Sequence, residues 1–304
     1  MIGAACVQEC LAQGIPVVAL VRRGTNRINR LPKHPDLEIV ECNSDEYDHI
    51  QLPTKRYSIF FHFAWRGTSR EERNDTLLQI KNVTQAIQAV KLAARVGCRR
   101  YVGAGSQAEY GLAHEPLGPD SRRNPVTAYG AAKDAAQQMC HVECLYDNIE
   151  FCWARIFSVY GPHDNGGTLI DTLIDCLERG ERPKLSSCEQ TWDYLYSVDC
   201  AKAMLLIGQK GKNGAAYCVG SGQGYPLRDY VEIIAKIYGV DIQSSFGLLK
   251  ASTKQTQFLQ ADIRTLHEDT GFTPQTDFER GIRNVIEWKR GRKNENDFCA
   301  DTNL

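Results

Sequence analysis

No apolar run in the 304-residue chain approaches the roughly 20 residues that a bilayer-spanning helix needs, so a membrane is not an expected partner. Excess charge is also lacking. The 36 Lys and Arg stand against 37 Asp and Glu, a formal net charge of −1. A dedicated nucleic-acid binder carries a basic excess, so nucleic acid is not expected either. The opening residues, MIGAACVQECLAQG, lack a basic region followed by a continuous apolar stretch, and no secretory signal is expected there. Twelve cysteines are present, but no C-x-x-C. The pairs Cys6/Cys10 and Cys140/Cys144 lie four apart within helical patterns. Zinc sites show closer pairs backed by a second pair or by histidines. The cysteines therefore read as small buried apolar groups in a reducing compartment. Neither metal nor disulfide is expected, and the expected location is the cytoplasm.

What is present is an alternation of short β-rich runs with longer amphipathic segments, the pattern of a parallel sheet flanked by helices. Ala4 to Gln13 reads as helix, with Gly14 as its stop. PVVALV (16–21), Leu37 to Glu41 and SIFFHF (58–63) read as strands, the last apolar enough to be buried on both faces. Asp75 to Val96 is a long helix, Arg100 to Gly103 begins a strand, Thr127 to Tyr146 is helix and Glu150 to Ile156 strand. The rhythm breaks near Val159. Helical spacing returns over Thr168 to Arg179, Leu227 to Tyr238 and Asp277 to Arg290, and Gly291 to Leu304 reads as a polar tail. This divides the chain into a first α/β unit over 1–160, a second unit over 161–290 and a flexible tail over 291–304. The start is unusual. Only Met1, Ile2 and Gly3 precede the first helix, whereas a doubly wound sheet normally opens with a strand and a glycine-rich turn.

The chemistry concentrates at Tyr129-Gly130-Ala131-Ala132-Lys133, with Ser106 upstream at the end of a strand. Positions i and i+4 share a helix face, which sets the Tyr129 phenol and the Lys133 ammonium side by side. A cation beside a phenol favours the phenolate. Tyr129 then becomes a general base for an alcohol being oxidised or an acid for a ketone being reduced, with Ser106 holding the same oxygen.

With these residues the chain resembles the extended short-chain dehydrogenases/reductases, the NAD-dependent epimerase/dehydratase group that acts on nucleotide sugars. Phe61-His62-Phe63-Ala64 is similar to that family's H-x-A segment, and Asn82 matches the asparagine of its fourth helix. Arg155-Ile156-Phe157-Ser158-Val159-Tyr160-Gly161-Pro162 resembles R-x-x-N-V-Y-G-P, and Asp193 to Asp199 resembles D-F-I-Y-V-x-D. The resemblance implies a Rossmann-type doubly wound α/β fold, with a dinucleotide-binding domain over 1–160, incomplete at its N-terminus, and a smaller, mainly substrate-binding C-terminal α/β domain over 161–290. Ile2-Gly3 fits the last two residues of the family's G-x-x-G-x-I-G turn, so the first strand is expected to be missing from a truncated chain. The implied catalytic set is Ser106, Tyr129 and Lys133. The implied cofactor site takes in Gly3, Arg22, Arg23, Asn43, His62, Ala64 and Asn82 beside Tyr129 and Lys133, and the implied substrate site Gln107, Arg155, Ser158, Trp192 and Lys254.

NAD sites place an acidic residue after the second strand to bond the ribose 2′-hydroxyl. Here Val21 is followed by Arg22-Arg23-Gly24, and guanidiniums suit a 2′-phosphate, so NADP is expected over NAD. Three departures from the family pattern bear on the reaction. Ser106 is followed by Gln107-Ala108 and not by the Asp-Glu pair of sugar 4,6-dehydratases, so dehydration is not expected. Ser158 stands where the family has asparagine, and Trp192 where an arginine would hold the diphosphate, a role left to Lys250, Lys254 or Arg228. The expected activity is hydride transfer at a sugar carbon of a nucleotide sugar, by a 4-epimerase or 4-ketoreductase of surface-polysaccharide type. The other expectation is a non-catalytic cofactor-binding relative. A homodimer through the Asp75–Val96 and Thr127–Tyr146 helices is expected by analogy.

Overall fold

The structure, a computed structural model, describes residues 1–53, 57–69, 71–164, 166–250 and 256–301, with side chains through residue 291. In chain order the first part runs α1 (Ile2–Ala12), β1 (Val17–Val21), β2 (Leu37–Glu41), β3 (Ile59–His62), α2 (Thr76–Arg95), β4 (Arg100–Ser106), α3 (Ala128–Tyr146) and β5 (Glu150–Ile156). It continues through β6 (Ser158–Tyr160), α4 (Leu169–Glu178), β7 (Thr191–Trp192), β8 (Tyr194–Tyr196), α5 (Ser197–Lys210) and β9 (Ala216–Val219). It closes with β10 (Tyr225–Pro226), α6 (Leu227–Ile237), β11 (Phe258–Leu259), α7 (Arg264–Thr270) and α8 (Phe278–Asp301).

The helix starts follow from local chemistry. The Asp75 carboxylate accepts from Leu78 N at 3.0 Å, Thr127 Oγ1 from Gly130 N at 3.1 Å and Thr168 Oγ1 from Asp171 N at 3.2 Å. Each occupies one of the orphan donors of a first helical turn. α8 runs on through Gly291, where the sequence pattern ends it. One glycine in a helix costs only about 1 kcal/mol.

The main sheet is parallel, in the order β3-β4-β5-β9, and β1 pairs with β2 as a separate parallel ribbon. Among the described residues no ladder joins β1 to β3. Alternate side chains leave opposite faces of a strand, and the two cores follow this rule. Tyr101, Phe151 and Trp153 join Ala86, Ala89, Val90, Ala136, Cys140 and Cys144 of α2 and α3 on one face. Val102, Ala104, Cys152 and Ala154 join Cys6 of α1 and Ala201, Met204 and Ile207 of α5 on the other. The strands β4 and β5 are buried almost throughout, as a sheet covered on both faces requires. This is the doubly wound α/β arrangement that the sequence pattern implies.

The chain does not stay on one side of residue 160. α5 returns to cover the main sheet, and β9 extends it, pairing Ala216 with Trp153 and Val219 with Ile156. A further core unites Ile170, Leu173 and Ile174 of α4 with Val231 and Ile234 of α6 and Ile282, Val285 and Ile286 of α8. A small sheet, β10-β7-β11, lies in the same half of the chain. The eleven cysteines whose side chains are described are all free and buried. No group of three or more His, Cys, Asp or Glu among the described residues is placed to hold a metal ion. Among the same residues no helix is long and apolar enough to cross a membrane.

Candidate active site

β4 ends at Ser106, and the chain turns at once into a short helical turn, Gln107–Glu109. Ser106 Oγ accepts from Ala108 N at 3.2 Å. The first turn of α3 is seated on this turn so closely that a Cβ at Gly130 would collide with the Ala108 carbonyl. Glycine is therefore the residue that lets Tyr129 approach Ser106, whose hydroxyl lies near enough to the phenol to favour its ionised form. One turn further along α3, buried Lys133 donates from Nζ to Ala104 O at 2.6 Å. The three residues singled out in the sequence thus converge at the C-terminal end of β4, the edge where open α/β sheets bind ligands.

The electrostatics differ from the expectation that Lys133 acidifies the phenol. Burial lifts the Tyr129 phenol above its ordinary value, and the groups that oppose this are Ser106 and Arg73. The Lys133 ammonium lies 5.9 Å from the Tyr129 ring centroid and 3.7 Å from the Trp65 ring. Burial lowers its own pKa to about 7, with Glu109 pulling the other way. Three residues that sequence spacing did not bring forward belong here. Trp65 meets Tyr129 edge-on with ring centroids 6.1 Å apart. Arg73 places its guanidinium carbon 4.4 Å from the centroid of the Tyr129 ring.

Glu109 is the third. It is fully buried; its Oε1 accepts from Ser106 N at 2.7 Å and from Trp153 Nε1 at 3.0 Å, and its Oε2 from Arg155 Nε at 2.7 Å. Arg155 spends its remaining donors on Tyr110 OH, Pro119 O and Gln137 Oε1. Its side chain, implied by the resemblance as a substrate contact, is 0% exposed and bonded within the protein. It lies on a strand buried on both faces, where a guanidinium persists only when paired. Asn82, implied as a cofactor contact, bonds the chain itself. Its Oδ1 accepts from Arg66 N at 2.9 Å and its Nδ2 donates to Arg66 O at 3.0 Å, which pins the loop after β3.

The other implied residues are dispersed along the same edge. His62 is buried, its Nδ1 3.0 Å from Tyr101 OH and its Nε2 without a hydrogen-bond partner, and burial pushes its pKa down to about 3. Ala64 is exposed and Gln107 half-buried. Gly3 lies in the first turn of α1 against the Phe63 ring. Arg22 is exposed, while Arg23 Nε donates to both Glu46 oxygens at 3.0 Å, and Glu46 also accepts from Asn43 N at 2.8 Å. Ser158 and Trp192 meet each other: Trp192 Nε1 donates to Ser158 Oγ at 2.7 Å. Two of the three departures from the family pattern thus form one unit. The Arg228 guanidinium lies over the Phe246 ring at 4.2 Å. Lys254 lies outside the described residues.

The site thus sets a strand-end serine beside a helical tyrosine, with a lysine one turn on. The model of the NAD dependent epimerase/dehydratase family matches residues 1–220. The chain belongs to this family. It is 23% identical over 302 residues to the CDP-abequose synthase of Salmonella typhimurium, covering 94% of each chain. It is 24% identical over 307 residues to the UDP-glucose 4-epimerase of Corynebacterium glutamicum, covering 94% of this chain and 91% of that one. Among solved structures, the UDP-N-acetylglucosamine 4-epimerase of Methanobrevibacter ruminantium shares the fold with a TM-score of 0.85 at 21% identity over 96% of both chains. Two others were solved with a cofactor. MoeE5 holds UDP-glucuronic acid and NAD (TM-score 0.81, 25% identity, 96% of both chains). RMD of Pseudomonas aeruginosa holds NADPH (TM-score 0.73, 19% identity, 84% of this chain and 91% of that one).

The residues present fit a dinucleotide at two places. The N-terminus of α1 has no side-chain cap, so its first N–H groups can face a phosphate. Burial first, and then Arg30 and Arg27, lower the Met1 amine to about 6, with Asp164 working against them. At the other place stand Lys133 and the phenol beside Ser106.

Proposed function

We propose that the protein is an NAD(P)-dependent nucleotide-sugar epimerase or 4-ketoreductase, with Tyr129 as its acid–base group. The observation that carries this reading is the convergence of Ser106, Tyr129 and buried Lys133 at the end of β4, with the first turn of α3 seated on the Ala108 carbonyl and Lys133 bonded to Ala104 O. When bound, the nicotinamide supplies or accepts a hydride at a sugar carbon. Tyr129 gives or takes the proton on that carbon's oxygen, and Ser106 orients the phenol. Lys133, close to its own titration point at neutral pH, is held against β4 by its bond to Ala104 O. Dehydration is disfavoured because Glu109, the one carboxylate of the 107–109 turn, is locked on Ser106 N, Trp153 and Arg155 with no exposed surface. The test is turnover of a panel of UDP-, CDP- and dTDP-linked sugars and 4-keto sugars, followed by NAD(P)H absorbance and by product stereochemistry. Oxidoreduction or epimerisation is expected. Cofactor binding with no turnover across the panel would favour a non-catalytic relative.

NADP is the proposed cofactor, a role that now falls on Arg22 because Glu46 engages Arg23. kcat/KM with NADPH should exceed that with NADH, and Arg22→Ala should lower the NADPH value by about tenfold, as loss of one charge-assisted hydrogen bond would. Equal values for both cofactors in the wild type would contradict it.

A homodimer in the cytoplasm is proposed as the working form. On α2, Leu77 and Ile80 are 76% and 62% exposed. On adjoining α3, Met139, Val142, Leu145 and Tyr146 form an exposed apolar row at helical spacing. A second copy of the same face would cover both. Light scattering should give twice the chain mass for the wild type and a monomer for Leu77→Glu/Leu145→Glu. A wild-type monomer at micromolar concentration would refute the dimer.

A further inference from the structure

The segment that leaves β3 and returns to α2 is pinned along its length. Asn82 holds Arg66 from both sides. Gln79 Nε2 donates to Gly67 O at 2.8 Å and Glu72 O at 3.1 Å, and Gln79 Oε1 accepts from Trp65 Nε1 at 2.8 Å. Farther on, Asn74 Oδ1 accepts from Ala128 N at 3.2 Å, at the first residue of α3. Between these anchors Arg73, half-buried, is delivered onto the face of the Tyr129 ring while Trp65 meets the same ring edge-on.

We propose that Arg73 is a positioning residue for proton transfer, a guanidinium seated on the Tyr129 ring that fixes the phenol and favours its ionised form. The proposal rests on the reading of Tyr129 as the acid–base group. A guanidinium stays charged at every working pH. The site's other cation, Lys133, is buried and loses its proton from about pH 7 upward. Arg73 is thus the cation that still acts in the range where a phenol ionises, its guanidinium carbon 4.4 Å from the ring centroid, and a nearby opposite charge favours the ionised form. The groups facing the phenol are Ser106 and Glu109 from the end of β4 and the turn after it, Lys133 from α3, and Arg73 with Trp65 from the pinned segment. Of these Arg73 and Ser106 lower its pKa, and Glu109 raises it.

The test uses the full chain labelled with 13Cζ-tyrosine, without substrate. The Tyr129 signal is assigned by its loss in Tyr129→Phe. Ionisation is followed up to the highest pH at which circular dichroism shows an intact fold. Arg73→Gln is expected to lower the phenolate fraction there by about tenfold, equivalent to one pH unit, and Arg73→Lys to restore most of it. The kcat–pH profile should move to higher pH in Arg73→Gln, which lost packing alone would not produce. An unchanged Tyr129 titration in Arg73→Gln, or a larger change in Lys133→Met, overturns the proposal and leaves the acid–base reading standing. Retained turnover in Tyr129→Phe overturns that reading instead.

Discussion

Tyr129→Phe should cut turnover by about 10²–10⁴-fold, the usual contribution of a positioned acid–base group, while nucleotide-sugar and cofactor affinities stay near wild type. The substitution removes only the hydroxyl. The ring keeps its edge contact with Trp65 and its face contact with Arg73, so the pinned segment after β3 has no cause to move. Steady-state kinetics give kcat and KM separately, and thermal shift with cofactor reports binding. A fall in kcat at unchanged KM is the expected pattern, because the proton on the sugar oxygen moves only in the transition state. A variant with wild-type kcat would remove Tyr129 from the chemistry.

The second large effect concerns stability. Glu109 and Arg155 form an ion pair in which neither side chain has exposed surface. Burial raises the Glu109 carboxyl, and Arg155 together with the Ser106 N–H and the Trp153 indole works against that rise. Removing one partner leaves the other charge buried and alone, a defect that costs about 3–5 kcal/mol. Arg155→Leu should therefore lower the free energy of unfolding by about that amount in urea titrations. Glu109→Gln/Arg155→Leu, with no net charge left behind, should recover much of the loss. The Arg155→Leu defect would also reach the active site, since the same carboxylate that holds Arg155 takes the Ser106 amide. A loss below about 1 kcal/mol, the range of solvent-exposed pairs, would show that the guanidinium's place is taken by water.

The elements legible in the sequence are those governed by local rules. Asp75, Thr127 and Thr168 cap their helices through interactions three residues long, and β2 and β5 begin and end where their apolar runs do. Tyr129 and Lys133 could be paired because a helix fixes what lies four residues on. The residues that escaped are those whose partners are distant in the chain. Arg155 meets Glu109 across 46 positions, and Arg73 meets Tyr129 across two elements. An arginine on a strand looks the same in sequence whether it faces a ligand or a buried carboxylate. Lys133 shows a different limit. Helical spacing placed it near the phenol, but its direction is set by the Ala104 carbonyl on a neighbouring strand, which draws the ammonium away from the ring. The return of α5 and β9 to the main sheet was hidden for a related reason. Parallel pairing with β5 joins strands some 60 residues apart and leaves no mark in local periodicity.

The account stands on Tyr129 exchanging a proton with a sugar oxygen. A crystal structure of the protein with cofactor and a nucleotide sugar measures this directly. The Tyr129 hydroxyl should lie about 2.6–3.2 Å from the oxygen on the reacting carbon, with the Ser106 hydroxyl in contact with the same oxygen or with the phenol. A sugar bound with that oxygen away from Tyr129, toward another acid or toward solvent, would contradict it.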